Sequence, residues 1–277
     1  MAASLSPLDA SLASRGAAAL PVLLEAARLG GAIALADFRE GAHTSARVEH
    51  KHGGSPVTAA DFAVDQFLTL RLRQAFPEAG WLSEETADGL ERLSRRELIV
   101  VDPIDGTRAF VGGDPRWTVS IALVMDHRVI AGVVHAPALK ETYAAALGHG
   151  ATLNGAPILA SHRDGLEGAR VAGPKPLVTS IASILRAEFQ IEPKIPSLAY
   201  RLARVASGAL DLAFASVDSH DWDVAGADVI LHEAGAGLAD AHGALSYNRE
   251  RIRREVLVAA PLFWLPSVAA ALPKRSA

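Results

Sequence analysis

The stretch Val100-Val101-Asp102-Pro103-Ile104-Asp105-Gly106-Thr107 indicates both the fold and the chemistry of this chain. An apolar strand, predicted at residues 98–101, runs straight into two acids that are three residues apart. Pro103 restricts the turn, and Gly106 lets backbone approach a ligand closely. Both carboxylates can then face one pocket, where a divalent cation would relieve their repulsion. From these residues alone, an acidic turn that caps a helix, with Asp105 as N-cap, remains an alternative.

Two segments that precede this stretch carry further acids. Thr58 can cap a helix that has Asp61 in its first turn, where a carboxylate also favours the helix dipole. The apolar pair Trp81-Leu82 comes shortly before Glu84 and Glu85, which could add a hard oxygen ligand. Paired glutamates are also common at solvated helix starts, so a structural role stays open. The helix after Thr58 is predicted to bury one apolar face, formed by Ala60, Ala63, Val64, Phe67 and Leu70.

A late segment, His220-Asp221-Trp222-Asp223, begins another predicted helix. Asp223 lies in its first turn, off the apolar face of the helix. The small residues 225–227 permit either close packing or close approach of a ligand. Capping by Ser219 or Asp221 is the structural alternative, and Glu233 is expected to be a structural partner.

Composition narrows the class of protein. The chain has 277 residues, of which 50% are apolar, enough for a sizeable core. The net charge of −4 does not suggest a nucleic-acid stripe or a polybasic anchor. The absence of cysteine excludes disulfides and cysteine-bound zinc. Prolines interrupt the uncharged stretch 256–273, so we predict a buried strand at 256–259 and a short helix there rather than a membrane span. We expect no signal peptide.

Helical and strand patterns are mixed along the chain. A helix is predicted at residues 21–38, after a partly frayed start (1–20) and before a mobile loop (41–56). Strands are predicted at 98–101, 118–125, 129–135 and 142–146, with a hairpin at 126–128, and a turn around Asn154-Gly155. The second half mixes strands near Val171 and Leu212 with helices at 177–187, 198–207 and 223–234. The mixture predicts a layered α/β (α+β) protein with a boundary near residue 160.

Taken in order, the motifs Thr58-x-x-Asp61, Glu84-Glu85, Asp102-Pro103-Ile104-Asp105-Gly106-Thr107 and Trp222-Asp223 resemble those of the inositol monophosphatase superfamily. The resemblance covers roughly residues 51–237. It implies an αβαβα layered sandwich, metal-dependent hydrolysis of phosphate monoesters, and a homodimer. On this division, residues 1–160 form an N-terminal α+β domain with most of the metal ligands. Residues 161–277 form a C-terminal α/β domain with Asp223 and the substrate-side residues.

The resemblance also implies roles for individual residues. Two or three Mg²⁺ ions would be bound by Glu84, Asp102, Asp105, Asp223, the backbone carbonyl of Ile104 and, for a weaker ion, Asp61. Thr107, hydrogen-bonded to Asp61, would orient the attacking water, with Glu84 in the same catalytic set. The N–H groups of Gly106 and Thr107 would hold phosphate, and Asp223 and Glu84 would face the substrate. Candidates for a second phosphate or a base are Lys175, Arg201 and His220. Lithium is expected to inhibit by replacing a weakly bound magnesium.

Within the superfamily, two segments are similar to the 3′(2′),5′-bisphosphate nucleotidase branch: Lys51 followed by Ser55-Pro56-Val57-Thr58, and Leu82-Ser83-Glu84-Glu85. That branch implies conversion of adenosine 3′,5′-bisphosphate to AMP and phosphate, in the cytoplasm and in sulfur metabolism. Gly53 and Arg108-Ala109 depart from its usual residues. Inositol monophosphatase, histidinol phosphatase and a non-catalytic partner of transcription machinery remain alternatives. The expected partner is a small phosphorylated substrate, not a nucleic-acid polymer or a membrane.

Overall fold

The computed structural model describes residues 7–51 and 53–273. The helices in this part of the chain are α1 (Pro7–Leu35), α2 (Ala59–Ala75), α3 (Thr107–Gly112), α4 (Lys175–Leu185), α5 (Leu198–Ala206), α6 (Asp221–Glu233) and α7 (Leu265–Ala270). The strands are β1 (Val48–His50), β2 (Pro56–Thr58), β3 (Gly80–Ser83), β4 (Glu97–Asp105), β5 (Thr118–Met125), β6 (Arg128–Ala136), β7 (Glu141–Ala146), β8 (Ala151–Leu153), β9 (Ala156–Ile158), β10 (Ala169–Ala172), β11 (Phe189–Ile191), β12 (Leu212–Ala215), β13 (Ala236–Asp240), β14 (Gly243–Ala244) and β15 (Leu257–Pro261).

Two large sheets organise the chain. The first has seven strands in the order β3-β4-β5-β6-β7-β8-β9; β3 and β4 are parallel and the other neighbours antiparallel. The second has six strands in the order β11-β10-β12-β15-β13-β14, with β10 parallel to β11 and β12. The predicted hairpin between β5 and β6 is confirmed. Asp126 and His127 both have positive φ, as a tight two-residue turn requires.

Side chains alternate between the faces of each sheet and produce five layers. On β4, Ile99 and Val101 face a core shared with α1 and α2, whereas Leu98 and Val100 face a core shared with α5 and α6. The second sheet closes that middle core from the other side. Its outer face packs against α4 and α7. The predicted αβαβα sandwich is therefore confirmed, and α5 and α6 form its central layer. The division into domains at residue 160 stays a prediction.

The N-terminal helix differs from the prediction. α1 runs continuously through Pro21, so the expectation of fraying is wrong for residues 7–20, while residues 1–6 lie outside the described part. Burial of Leu12, Leu23 and Ala26 against the sheet and α2 outweighs the local cost of the internal proline.

By length and hydropathy, α1 could also span a membrane, a feature that the sequence interpretation did not consider. An 18-residue window within Leu8–Leu35 has a mean hydropathy of 1.6. Instead, 39% of this window is buried within the protein, and Arg15 and Glu25 form salt bridges to Glu97 and Arg71. These contacts make α1 a packed element of the fold, and no membrane protein is indicated.

Two further local predictions need correction. The stretch 41–56 contains strand β1 and the start of β2, which form a small antiparallel hairpin rather than only a loop. The buried face of α2 is also rotated from the predicted one, because Leu70 is 69% exposed. Its buried residues are Ala60, Asp61, Val64, Leu68 and Leu72.

Toward the C-terminus, strand β15 and the short helix α7 confirm the prediction of a buried strand and a short helix within residues 256–273.

Helix α6 lies unusually close to the first sheet because glycines face each other across the contact. A Cβ atom on Gly132 of β6 would lie 2.3 Å from the carbonyl oxygen of Gly226 and 2.8 Å from Val229 Cγ1. A Cβ atom on Gly226 would lie 2.5 Å from Ser120 Oγ. The small residues 225–227 of α6 were expected to permit either close packing or close approach of a ligand. For Gly226, the structure shows close packing.

We expect Gly132→Ala to lower the free energy of unfolding by about 1–3 kcal/mol, because the added methyl group must displace a helix backbone. Urea denaturation measures this loss. Gly165→Ala is the matched control, since a Cβ atom there meets nothing within 4 Å. Equal stabilities of the two variants would contradict the close-packing interpretation.

Candidate active site

The two acids of the central motif lie at the end of β4, on either side of an irregularity in its pairing with β5. Asp102 pairs with Ser120 and Asp105 with Thr118, with a register shift between them. Asp102 is 1% exposed. Its Oδ1 accepts a hydrogen bond from the N–H of Ile104 at 3.1 Å, whereas its buried Oδ2 has no hydrogen-bond partner. One carboxylate oxygen of Asp102 is therefore left for a ligand.

Asp105 does not cap α3, contrary to the structural alternative, because the N-cap of α3 is Gly106. Its Oδ2 instead accepts hydrogen bonds from Ser197 Oγ and from the N–H of Ala199, both at 2.6 Å. Ser197 is itself the N-cap of α5. Asp105 thus contacts the positive end of another helix dipole, which stabilises its negative charge.

The start of α6 brings a third carboxylate to the same place. Asp223 is the third residue of α6, and its Oδ2 accepts a hydrogen bond from the N–H of His220 at 2.6 Å. One carboxylate oxygen each from Asp102, Asp105 and Asp223 lie within 4.8 Å of one another. Two segments from opposite halves of the chain therefore converge on one cluster.

Asp61 connects the start of α2 to the turn after β4. Its Oδ2 accepts hydrogen bonds from the N–H (2.8 Å) and hydroxyl (2.6 Å) of Thr58, which confirms Thr58 as the N-cap. Its Oδ1 lies 3.2 Å from Thr107 Oγ1, which is also 3.1 Å from the carbonyl oxygen of Ile104. The expected hydrogen bond between Thr107 and Asp61 is therefore present, at the edge of the cluster.

Glu84 follows β3, the strand that pairs in parallel with β4. Lys51 Nζ lies 2.7 Å from Glu84 Oε1 and 2.7 Å from Glu85 Oε1. Neither Glu84 nor Asp61 belongs to the group of three mutually close carboxylates, but the negative charge of each raises the pKa of Asp102. They therefore lie around the cluster rather than in it.

Burial and mutual repulsion disfavour the ionised form of these acids. Burial raises the pKa of Asp102 well above its ordinary value, and the charge of Glu84 raises it further. The pKa of Asp105 is raised to about 7, chiefly by burial and then by Asp223, against the opposing hydrogen bonds from Ser197 and Ala199. Such a cluster is costly unless protons or cations neutralise it.

The residues present fit a hard divalent cation. Three converging carboxylates supply oxygen ligands, and the Oδ2 of Asp102 is a buried acceptor for which residues 7–51 and 53–273 provide no donor. Carboxylates, carbonyls and water are the ligand set that suits Mg²⁺. The cluster could therefore hold a metal ion.

A cavity of about 670 Å³ lies beside the first turns of α5, whose N-terminus holds Asp105. Its lining includes three cationic residues, Lys175, Lys194 and Arg201, and two acidic residues, Glu192 and Asp218. Its apolar lining includes Ile191, Ile195, Leu198 and Val217. Arg201 also interacts electrostatically with Asp105. The cavity thus lies against the helix whose N-terminus holds Asp105, and it combines an excess of one positive charge with apolar surface.

The three substrate-side candidates differ in their positions. Lys175 and Arg201 line this cavity, although one nitrogen of Arg201 already donates to the carbonyl of Phe214 at 2.7 Å. Burial lowers the pKa of Arg201 from its ordinary value. His220 is not among the lining residues; its ring stacks on Trp222 at 4.6 Å, and it occupies the N-cap of α6. Its Nδ1 lies 3.8 Å from Asp223 Oδ2, so His220 lies beside the carboxylate cluster, and its substrate role stays a prediction.

Three residues of the site were not assigned a role from the sequence. Ser197 was missed because only its helix-cap pattern is local, while its partner Asp105 lies far away in the chain. Lys194 was missed because no motif surrounds it. Lys51 was noted as a marker of a family branch but not as a partner of Glu84.

Glu233 was expected to be a structural partner. It accepts hydrogen bonds from the N–H groups of Gly148 and Gly150.

The raised pKa of Asp105 predicts how stability depends on pH when divalent cations are removed. The folded chain holds a proton there up to about pH 7, whereas the unfolded chain releases it near pH 4. The stabilisation is present at low pH and is lost as pH rises through 7. Between pH 6 and 8 we expect a loss of about 1 kcal/mol. Thermal unfolding in EDTA measures it.

Asp105→Asn is the control, because it removes the titrating group and should flatten this part of the profile. In the unsubstituted protein, added Mg²⁺ should raise the melting temperature more at pH 8 than at pH 6, since the ion competes with the proton. If the melting temperatures of the unsubstituted protein and of Asp105→Asn in EDTA change in parallel with pH, Asp105 is not the titrating group.

Comparisons with known proteins agree with this geometry. Residues 19–276 match the model of the inositol monophosphatase family. Inositol monophosphatase 3 of Solanum lycopersicum is 35% identical over 242 residues, covering 81% of this chain and 86% of that protein. The 3′(2′),5′-bisphosphate nucleotidase CysQ of Haemophilus influenzae is 34% identical over 220 residues, covering 76% and 80%.

Similar solved structures include the extragenic suppressor protein suhB of Bartonella henselae, with a TM-score of 0.78, 27% identity and coverage of 92% of this chain and 98% of that one. An IMPase of Thermotoga maritima has a TM-score of 0.76 and 26% identity, covering 90% and 94%. The family match spans both halves of the chain, including the segments that supply the carboxylate cluster. The chain belongs to the inositol monophosphatase family of phosphatases.

Proposed function

We propose that this protein is a Mg²⁺-dependent phosphomonoesterase that acts as a 3′(2′),5′-bisphosphate nucleotidase, converting adenosine 3′,5′-bisphosphate to AMP and phosphate. The observation that carries the choice of substrate is the cavity of about 670 Å³ beside the helix that holds Asp105, with an apolar wall and three cations against two acids. A nucleoside bisphosphate offers a base for the apolar wall and a second phosphate for the cations. The 34% identity with a CysQ nucleotidase supports the same choice.

The carboxylates of Asp102, Asp105, Asp223 and Glu84, with the carbonyl of Ile104, would hold the metal, and Asp61 would help hold a weaker ion. When bound, Mg²⁺ supplies positive charge for the phosphate and lowers the pKa of water. The proposal is supported by the positions of Asp102 and Asp105 on β4, of Asp105 at the α5 N-terminus and of Asp223 in the first turn of α6.

Thr107 is the residue best placed to orient the attacking water. Its hydroxyl can donate its proton to Asp61 Oδ1 or to the carbonyl of Ile104, which leaves a lone pair to accept a hydrogen bond from water. Attack by water forms the new P–O bond as the ester P–O bond breaks; the attacking water gives up one proton, and the leaving oxygen takes up one proton, so that the step balances. The scheme needs no side-chain nucleophile. The N–H groups of Gly106 and Thr107, at the half-buried start of α3, are the proposed phosphate donors.

An inositol monophosphate is the second candidate substrate, because the same carboxylate cluster would serve it. The 35% identity with tomato inositol monophosphatases supports this candidate as well. Histidinol phosphate is the third, through the Asp105-Gly106-Thr107-Arg108 segment, in which Arg108 is exposed. A cytoplasmic location, a homodimer, a role in sulfur metabolism and sensitivity to lithium complete the proposal.

Phosphate release tests the choice of substrate. Purified protein with Mg²⁺ should release phosphate faster from adenosine 3′,5′-bisphosphate than from inositol 1-phosphate or histidinol phosphate, and EDTA should abolish the release. Lithium should inhibit. Asp105→Asn should lower turnover by at least about a hundredfold while the variant stays folded by circular dichroism. A preference for inositol phosphate would assign the chain to the second candidate substrate.

The cations of the cavity supply a separate test of the second phosphate. Lys194→Met should raise KM for adenosine 3′,5′-bisphosphate about tenfold, as loss of one charged hydrogen bond does, and leave kcat nearly unchanged. The control is Lys140→Met, because Lys140 is exposed and does not line the cavity. An unchanged KM in the Lys194 variant would show that the second phosphate binds elsewhere.

A further inference from the structure

Lys51 places a positive charge against the ring of carboxylates. Its Nζ lies 2.7 Å from Glu84 Oε1 and 2.7 Å from Glu85 Oε1, and its side chain is 28% exposed. The Glu85 side chain is only 3% exposed, so little water can solvate the charge of this carboxylate. Lys51 therefore binds one acid that is expected to hold a metal and one buried neighbour of that acid.

The backbone around Lys51 is suited to movement of its side chain. Lys51 lies in the turn between β1 and β2, where its N–H donates to the carbonyl of Ser55 and its own carbonyl accepts from Gly54. The turn residues Gly53 and Gly54 are exposed, and a Cβ atom on either would meet nothing within 4 Å. The turn is thus held by its own hydrogen bonds, and the lysine can leave Glu84 without disturbing the packed core.

The side chain of Lys51 is freer to move than that of Arg201, the cation near Asp105. Arg201 is fixed by a hydrogen bond to the carbonyl of Phe214 on β12. Lys51 has a flexible four-carbon side chain and a compact ammonium group that can exchange one oxygen partner for another. Of the two, only Lys51 contacts a carboxylate of the proposed metal site directly by hydrogen bonds.

We propose that Lys51 is a resident cation of this site, which neutralises Glu84 in the metal-free protein and releases Glu84 when a divalent cation binds. The inference rests on the proposed function, since it requires a metal ion at this carboxylate. A single oxygen of Glu84 cannot serve the ammonium and the metal equally well, because the two positive charges repel each other at that distance. Lys51 therefore lowers the affinity of Glu84 for its metal ion and keeps that ion exchangeable.

Calorimetric titration of the substrate-free protein with Mg²⁺ tests the competition. Lys51→Met removes the resident charge, so the binding step that engages Glu84 should tighten at least about tenfold, which corresponds to about 1.4 kcal/mol. Lys51→Arg keeps the charge and should bind like the unsubstituted protein, and so should Lys140→Met. In EDTA, Lys51→Met should unfold at a lower temperature, and Mg²⁺ should restore it.

Chemical labelling tests the release itself in the unsubstituted protein. Limited acetylation followed by mass spectrometry should show that saturating Mg²⁺ increases labelling of Lys51, while labelling of Lys140 stays constant. In Asp105→Asn, which should lose metal binding, Lys51 should not respond. A merely structural lysine would show neither this response nor the tighter binding in Lys51→Met.

The outcomes separate this inference from the proposed function. If the unsubstituted protein binds Mg²⁺ but Lys51→Met binds it no more tightly and labelling is constant, Lys51 is not a resident cation, and the proposed function stands. If the unsubstituted protein binds no Mg²⁺, both are overturned. Tighter binding together with increased labelling supports the exchange.

Discussion

The close contact between α6 and the first sheet is the constraint on which the site depends. Gly226 and Gly132 let the helix backbone approach the strand backbone to a distance that no side chain allows. This approach places Asp223, at the start of α6, beside Asp102 and Asp105, at the end of β4. Since the three carboxylates repel one another, packing in the middle layer of the fold must hold them together.

The protein offsets that repulsion with contacts specific to each acid. Asp105 receives two hydrogen bonds from the start of α5, and Asp223 receives one from the start of α6. Asp61 accepts from Thr58 at the start of α2. Three helix starts therefore point toward the cluster, and their N–H groups favour negative charge there. Asp102 has the least support, because one of its oxygens has no partner.

Much of this arrangement could be predicted from the sequence because its signals are local. The β-branched run before Asp102 and the tight turn at Asp126 and His127 indicate their strands directly. The carboxylates could be predicted because the acids, the turn and the glycine are neighbours in the sequence, as in Asp102-Pro103-Ile104-Asp105-Gly106. The layered fold follows from the family resemblance, since periodicity alone gave only a mixture of helices and strands.

The rest depends on contacts that local patterns do not contain. Pro21 predicted a helix start, but burial on both sides of it continues α1 through the proline. On α2, two apolar stripes compete, and only packing against α1 and the sheet selects the one with Leu68 and Leu72 and leaves Leu70 in solvent. The contact between Ser197 and Asp105 joins segments on either side of the predicted domain boundary.

The shared middle layer has a consequence for synthesis of the chain. Residues up to about 158 supply all strands of the first sheet, but the side chains of Leu98, Val100, Ala122 and Val124 are covered by α5 and α6, which emerge later from the ribosome. The nascent first half therefore carries an open apolar sheet face until translation reaches α6, which makes it prone to aggregation and a natural client for chaperones. The same order keeps the carboxylate cluster incomplete until α6 has been made, so the three carboxylates can come together only after Asp223 has been added to the chain.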